Sequence, residues 1–253
     1  MRVTFLGTGT SSGVPLIGCT CAVCRSLDYR DKRLRVSVHL EIDEKSFVID
    51  TGPDFRQQML RESVGALDAV LFTHQHKDHV AGLDDVRAYN FLQQRDMPVY
   101  ARAQVLQQLQ TEFAYIFAEK RYPGIPHLKL HEIKNEPFEI EGISLLPIDV
   151  MHHKMPVFGF RVRDFAYLTD VNFIPEAEMA KLQHLEVLVL GALQRDPHLA
   201  HYNLEQALEV TEKIRPKRAY FTHISHRLGL QREVDALLPA HVKLAYDGLQ
   251  LVL

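Results

Sequence analysis

The stretch that most constrains the fold runs from Ala69 to His79. Its first five residues, Ala-Val-Leu-Phe-Thr, have the length and the β-branched and aromatic content of a buried strand. Four potential metal ligands, His74, His76, Asp78 and His79, follow within six residues, where the strand should leave the edge of a sheet. Imidazoles with a carboxylate suit catalytic metals better than a structural zinc. Two metals can share such a loop, and a plain polar surface loop is the disfavoured alternative.

The composition is that of a soluble globular protein. The chain has 253 residues, 46% hydrophobic and 24% charged, enough for one α/β domain spanning 1–253. Its net charge of -3 provides no global positive field for long nucleic acid. No apolar run approaches a membrane span, and the start passes straight into a predicted strand, Arg2–Leu6, without a hydrophobic signal region. We therefore expect a cytoplasmic protein that binds neither membranes nor long nucleic acid.

The three cysteines form a C-x-C-x-x-C motif, Cys19, Cys21 and Cys24. They lie too close together to staple distant parts of a fold. In a reducing compartment, three thiolates are three of the four ligands of a tetrahedral zinc site, here in an insertion at about 14–30. The fourth ligand must come from elsewhere in the chain. The alternative is three reduced thiols that pack as small hydrophobic groups.

Two acidic residues end predicted strands. Asp50 closes the strand Ser46–Asp50, and we expect it to orient the metal loop through hydrogen bonds. Asp170 ends the apolar strand Phe165–Asp170, where a carboxylate can bridge two metals. A plain loop aspartate is the alternative for Asp170.

Several histidines later in the chain are further candidates. His152 and His153 are adjacent and cannot easily face one small site, so we assign His153 as the ligand and His152 to packing or to support of a ligand. His223 ends a second Phe-Thr-His sequence, which suggests that two similar halves point matching edges at one site. His198 and His201 lie in another loop, from which one side chain is expected to face the site without binding metal.

The remaining elements alternate between strands and helices. Arg87, in the helical pattern Gly82–Leu92, is either a phosphate contact or an ordinary salt-bridged residue. The sequence Tyr122–Pro126 is expected to interrupt the chain, and Val150–Arg161 begins as a loop before a strand. Further predicted strands are Val36–Ile42, Val99–Ala101, Leu128–Ile133, Phe138–Ile140, Ile143–Pro147 and Glu186–Leu190, and further helices are Pro53–Arg61, Ala103–Phe117, Pro175–Gln183 and Asn203–Ile214.

The H-x-H-x-D-H loop, with later His, Asp and His in this order, resembles the metallo-β-lactamase superfamily. The resemblance spans most of the chain and implies an α/β fold of four layers, an αββα sandwich of two mixed β-sheets flanked by helices. Carried over one by one, it implies a first metal held by His74, His76 and His153, a second held by Asp78, His79 and His223, and a bridging carboxylate from Asp170.

Within the superfamily, the sequence is similar to the PhnP-type phosphodiesterases. These carry the same cysteine motif, completed by a histidine three residues after the last catalytic one, which is His226 here. His201, in His-Tyr-Asn-Leu, matches the general acid proposed for the family, and His198 is a nearby competitor. The resemblance thus implies two divalent metals at the catalytic site (zinc or manganese, with iron as a further candidate) and one structural zinc.

The implied activity is hydrolysis of a small or cyclic phosphodiester, such as a phosphoribosyl cyclic phosphate, by a metal-bridging hydroxide that Asp78 and Asp170 hold in line. The alternatives are a thioester hydrolase of the glyoxalase II type, an RNA-processing nuclease, and a metal-binding module without catalysis. The nuclease is disfavoured because only sixteen residues separate His153 from Asp170 and no glycine- and lysine-rich arm is evident. Relatives are often dimers, so a homodimer is the expected assembly.

Overall fold

The computed structural model describes residues 1–118 and 124–253. Its strands are β1 (Arg2–Gly7), β2 (Ser37–Ile42), β3 (Lys45–Ile49), β4 (Ala69–Leu71), β5 (Met97–Ala101), β6 (Leu128–Glu132), β7 (Phe138–Ile140), β8 (Ile143–His152), β9 (Met155–Val162), β10 (Phe165–Leu168), β11 (Val187–Gly191), β12 (Arg218–Thr222), β13 (Val242–Leu244) and β14 (Gln250–Val252). Its helices are α1 (Ala22–Arg25), α2 (Phe55–Arg61), α3 (Lys77–Val80), α4 (Arg87–Gln93), α5 (Ala103–Glu112), α6 (Ala114–Phe117), α7 (Glu176–Met179), α8 (Leu204–Ile214) and α9 (Gln231–Asp235).

The strands form two seven-stranded sheets, in the orders β14-β1-β2-β3-β4-β5-β6 and β13-β12-β11-β10-β9-β8-β7. In the first sheet the pairs from β14 to β3 are antiparallel and those from β3 to β6 are parallel. The second sheet repeats this pattern, antiparallel from β7 to β10 and parallel from β10 to β13. Both sheets are mixed, so the predicted fold class is confirmed.

The sheets pack face to face over a buried apolar layer. Aromatic side chains from both sheets meet there, including Phe5 and Phe47 from the first sheet and Phe158, Phe160 and Tyr167 from the second. Burying such a side chain stabilises the fold by about 1.5–3 kcal/mol. Two further apolar clusters lie on the outer faces, where helices such as α5 and α8 cover the sheets. The result is the expected αββα sandwich.

The hairpin β8–β9 differs from the prediction. The strand predicted to end at Pro147 continues to His152, which pairs with Met155, so the turn consists of His153 and Lys154. His153 has a φ of 57°, in the left-handed region that such tight turns require. Side chains alternate along a strand, and His152 therefore shares the buried face of Val150. This register decides which of the two histidines can reach the site.

Other elements lie close to their predicted positions. The helical pattern beginning at Gly82 starts as a 3-10 turn, Leu83–Val86, before α4. The helix predicted over Ala103–Phe117 is divided at Phe113 into α5 and α6. Residues 119–123, which include the first two residues of the predicted interruption Tyr122–Pro126, lie outside the described residues. Among the residues described, no helix is long and apolar enough to cross a membrane.

Candidate metal centre

The loop after β4 is held by close backbone packing. His76 immediately precedes the short helix α3, which contains Asp78 and His79. The backbone N–H of Thr51 donates to the carbonyl of His79 at 2.7 Å. A Cβ on Gly52 would lie 2.2 Å from the carbonyl oxygen of Asp78, so only glycine allows this approach. The end of β3 therefore fixes the helix that carries the second pair of candidate ligands.

A first group of ligand atoms comes from His74, His76 and His152, which lie within 4.8 Å of one another. His74 and His152 are buried, whereas His76 is exposed at the rim. The prediction of His153 in this group was wrong. His153 is exposed at the hairpin turn, where its backbone N–H donates to Asn172 Oδ1 at 2.7 Å. The missed signal was the alternation of buried side chains along β8, which ends at His152.

A second group consists of Asp78, His79, Asp170 and His223, again within 4.8 Å. The Nε2 atom of His79 lies 3.2 Å from Asp170 Oδ2 and 3.3 Å from Asp78 Oδ2. The Nε2 atom of His223 lies 3.2 Å from the other oxygen, Asp170 Oδ1. Asp170 also lies with His152 and His201 in a further group, so its carboxylate stands between the two main groups.

These residues fit a pair of divalent cations. In the part of the chain that the structure describes, the buried Nε2 atoms of His74, His79 and His223 have no hydrogen-bond partner. Leaving such atoms unpaired is costly, and two metal ions, one beside His74 and one beside His79 and His223, would satisfy them. Burial lowers the pKa of His74 well below its usual value, which keeps its imidazole neutral, as a metal ligand must be.

The clustered carboxylates of the centre favour a positive charge beside them. Burial by itself lowers the pKa of His79, but Asp170, Asp50 and Asp78 together raise it well above its usual value. In the absence of metal, the surrounding carboxylates thus draw a proton onto this imidazole. A bound cation would supply the same compensation directly.

Asp50 holds the loop as expected from its place at a strand end. Its Oδ2 accepts hydrogen bonds from Thr73 Oγ1 at 2.8 Å and faces His79 Nδ1 at 2.7 Å. Thr73 Oγ1 also lies 3.0 Å from His74 Nδ1. Since the hydroxyl donates to Asp50, it accepts from His74 and leaves Nε2 of both imidazoles directed at the centre. The role of Thr73 was missed because sequence spacing does not reveal this bond.

His201 lies against the centre and His198 lies outside it. The Nδ1 atom of His201 is 3.9 Å from Asp170 Oδ1, and its ring lies 4.8 Å from the ring of His223. Burial lowers the pKa of His201 to about 3. The exposed His198 ring is 5.0 Å from that of His201, on the solvent side.

The cysteine motif forms a separate cluster. Cys19 Sγ and Cys21 Sγ each lie 3.4 Å from His226 Nδ1, and with Cys24 the four ligand atoms lie within 4.8 Å. All three cysteines are free thiols. The cluster has the donor set of a structural zinc site.

Arg87 is a salt-bridged helix residue. Its guanidinium pairs with Asp84 at 3.1 Å. Of the two interpretations of Arg87, the structure agrees with the salt-bridged residue.

Comparison with known proteins agrees with this geometry. A model described as the beta-lactamase superfamily domain matches residues 45–224. The chain belongs to the metallo-β-lactamase superfamily and has the fold of its hydrolases. More particularly, it is similar to the crystal structure of a new diphosphatase from the PhnP family, with a TM-score of 0.93, 42% identity, and coverage of 100% of this chain and 97% of that one.

Two curated relatives are also similar. An octanoyltransferase of Porphyromonas gingivalis is 40% identical over 256 residues, covering 100% of this chain and 52% of that protein. The chain thus spans about half the length of this relative. A ribonuclease Z of Acaryochloris marina is 24% identical over 322 residues, covering 98% of this chain and 96% of that protein.

Proposed function

We propose that this protein is a metal-dependent phosphodiesterase acting on a small or cyclic phosphodiester. The observation that carries the proposal is the pair of nitrogen and oxygen ligand groups, with the Asp170 carboxylate between them. Phosphatases, polymerases and nucleases use such paired sites for displacement at phosphorus. The 42% identical PhnP-family diphosphatase supports chemistry at a phosphorus–oxygen bond.

Two ions would be held by the groups described above. His74, His76 and His152 would hold one, Asp78, His79 and His223 the other, and Asp170 would contact both. When bound, divalent ions at such sites make hydroxide available near neutral pH and neutralise phosphoryl oxygens. The identity of the ions, zinc, manganese or iron, is a matter for metal analysis, and zinc is proposed for the cysteine cluster.

The side chains supply orientation and a proton. Asp78 and Asp170 accept hydrogen bonds from the attacking water and hold it in line with the scissile bond. His201 donates a proton from its imidazolium to the departing alkoxide as the phosphorus–oxygen bond breaks. Burial lowers the pKa of His201, and an anionic phosphodiester close to the ring would raise it. Such general acid catalysis contributes about 10²- to 10⁴-fold in rate.

A small substrate is favoured over RNA for two reasons. The net charge is -3, and no broad positive field would attract a long polyanion. The ribonuclease Z alignment extends over 322 positions, more than the 253 residues of this chain, so that relative contains segments that are absent here. A phosphoribosyl cyclic phosphate and a diphosphate-linked compound are both small enough to be tested as substrates.

The second candidate function is thioester or acyl chemistry. The octanoyltransferase match favours testing it, although that name belongs to a protein of about twice the aligned length. Hydrolysis of a thioester would need the same activated water but no proton donor for the leaving group, because a thiolate leaves readily. His201 would then have little effect on the rate.

The test uses the full chain after reconstitution with manganese or zinc. Hydrolysis of bis(p-nitrophenyl) phosphate, a cyclic ribose phosphate, a diphosphate-linked nucleotide and S-lactoylglutathione is compared under one condition. We expect turnover of the phosphorus substrates and none of the thioester, with His201→Ala impaired chiefly on substrates whose leaving group is an alkoxide. Turnover of the thioester alone would contradict the proposal, and metal binding without any turnover would favour a binding module.

A further inference from the structure

We infer that Asn172 is a positioning residue that sets the location of His201 relative to the metal centre. The inference rests on the proposed function, in which His201 is the general acid. The side chain of Asn172 joins two surface segments that meet at the mouth of the site, the β8–β9 turn and the loop that carries His201.

The backbone of Asn172 is itself well fixed. Its N–H donates to the carbonyl of Met151 at 2.9 Å, and Met151 N–H donates to the carbonyl of Phe173 at 2.9 Å. This bridge ties the segment to the last part of β8, next to His152. Asn172 also follows Asp170 by two residues. Its side chain therefore projects from a rigid base that is continuous with the central carboxylate.

The loop around His201 has few attachments of its own. Residues 195–199 are exposed. Arg195 Nε donates to the carbonyl of Leu228 at 2.9 Å at the start of the loop, and in the described structure two hydrogen bonds from other segments reach Leu199 and Ala200, just before His201. Asn172 Nδ2 donates to the carbonyl of Leu199 at 3.2 Å, and His152 Nδ1 lies 2.9 Å from the carbonyl of Ala200. Exposed segments with so few contacts open easily.

Residues 171 and 172 hold this loop on both sides of His201. After His201, the N–H of Tyr202 donates to the carbonyl of Val171 at 2.7 Å. Before it, the side chain of Asn172 holds Leu199. Val171 and Asn172 thus hold the loop on both sides of His201. Only the contact with Leu199 is made by a side chain, so a substitution of Asn172 can remove it without changing the backbone.

Only an amide can make both Asn172 contacts. Its Oδ1 accepts from the N–H of His153 at 2.7 Å, while its Nδ2 donates to the carbonyl of Leu199. An aspartate keeps the first contact and places oxygen against oxygen at the second. Asn172→Asp therefore releases the His201 loop selectively, whereas Asn172→Ala releases both segments.

The test measures kcat and KM of the metal-loaded protein on phosphodiesters with p-nitrophenolate or alkoxide leaving groups. We expect Asn172→Asp and Asn172→Ala to lose about 10- to 100-fold in kcat on the alkoxide substrate, since a displacement of about 1 Å costs this much. Turnover with p-nitrophenolate, which needs no proton, stays near the wild-type rate. The double variant with His201→Ala is no slower than His201→Ala alone.

The matched control is Asn135→Ala, which removes an amide with two hydrogen bonds, to Glu178 and Lys181, away from the metal centre. It should leave the dependence on the leaving group unchanged. Equal losses on both substrates, or losses that multiply with His201→Ala, would overturn the inference, because Asn172 would then act through the metal ligands or the fold.

A second readout separates this inference from the proposed function. In the zinc-loaded protein, the imidazole signals of His201, identified by their loss in His201→Ala, are expected to shift and broaden in both Asn172 variants and to remain in place in Asn135→Ala. This holds even if no phosphodiester is hydrolysed, an outcome that would refute the proposed function alone. Unchanged His201 signals would refute the role of Asn172.

Discussion

The two ligand clusters of this protein are built in opposite ways. In the cysteine cluster, three ligands come from six consecutive residues, Cys19 to Cys24, and His226 alone is distant. The His/Asp centre collects its candidate ligands from the ends of β4, β8, β10 and β12 and from α3. His226 follows His223 by three residues, so one segment after β12 serves both clusters. Each cluster therefore depends on the fold to a different degree.

The donor atoms differ as well. Three thiolates and one imidazole complete a tetrahedral zinc and leave no open position, which is typical of a structural site. Imidazoles and shared carboxylates leave positions for water and substrate. We therefore expect damage to the His/Asp centre to abolish activity with little loss of stability, and damage to the cysteine cluster to do the reverse.

The largest effect is expected for Asp170→Asn. This substitution keeps the shape but removes the charge that lies between His79 and His223. We expect kcat/KM on bis(p-nitrophenyl) phosphate to fall by about 10³-fold or more. Metal analysis should show loss from the His/Asp centre and retention of the zinc at the cysteine cluster. A variant that keeps a substantial share of the activity would contradict the assignment of catalysis to the His/Asp centre.

The adjacent pair His152→Ala and His153→Ala is the next most informative. His152 lies with His74 and His76, whereas His153 is exposed at the turn. Loss of a residue that only supports a metal ligand typically lowers metal affinity by about 10- to 100-fold. We expect His152→Ala, which would remove a ligand, to lower it by more. His153→Ala should stay within about twofold of the wild type, as surface substitutions generally do. If an equilibrium metal titration showed a greater loss of affinity in His153→Ala than in His152→Ala, the placement of His152 at the site would be wrong.

These residues also indicate how far the sequence could be read. The cysteine motif could be singled out because its spacing is local, and the candidate ligands from His74 to His79 follow one strand directly. The choice between His152 and His153 required the register of β8, because a shift of one residue turns a side chain to the opposite face. Asn172 could not have been found, since its partners are backbone atoms of two other segments.

The repeated Phe-Thr-His sequence also shows a limit of reading strand equivalence from sequence. Both copies reach one site, but β4 and β12 do not hold equivalent places in the two sheets. When the matching patterns of parallel and antiparallel pairs are aligned, β3 corresponds to β10. The acids that follow these two strands, Asp50 and Asp170, share a backbone feature, a positive φ of 66° and 50°. Sequence similarity alone paired the wrong strands because it carries no information on strand order.

For the cysteine cluster we predict a loss of stability with smaller effects on chemistry. In Cys24→Ser the zinc should be lost, and since a structural zinc contributes several kcal/mol, Tm should fall by about 10 °C or more. Below the transition, the kcat of protein with a filled His/Asp centre should remain close to the wild-type value. Thermal unfolding and kinetics on the same sample test both parts. A large fall in kcat with unchanged Tm would contradict this prediction, because the cysteine cluster would then serve catalysis and not stability.

The smallest expected effect concerns the thiols in metal-depleted protein. The backbone N–H of Cys24 and the side chain of His226 lower the pKa of Cys21 to about 6, whereas burial raises the pKa of Cys24 to about 11. Near neutral pH, Cys21 is then a thiolate and Cys24 a thiol, so iodoacetamide should modify Cys21 first. Zinc should protect both. Mass spectrometry that found Cys24 alkylated first would contradict this electrostatic difference.

The most direct measurement of the central claim follows metal content and activity together during stepwise chelation. The fully loaded protein should contain about three ions per chain if both clusters are filled. A mild chelator is expected to remove two of them and abolish phosphodiester hydrolysis while the fold persists, and re-addition of manganese or zinc should restore the activity. The third ion should be released only when the thiols are modified, with loss of stability. A single ion per chain, or hydrolysis that survives removal of the first two, would contradict the assignment of a catalytic pair and a separate structural zinc.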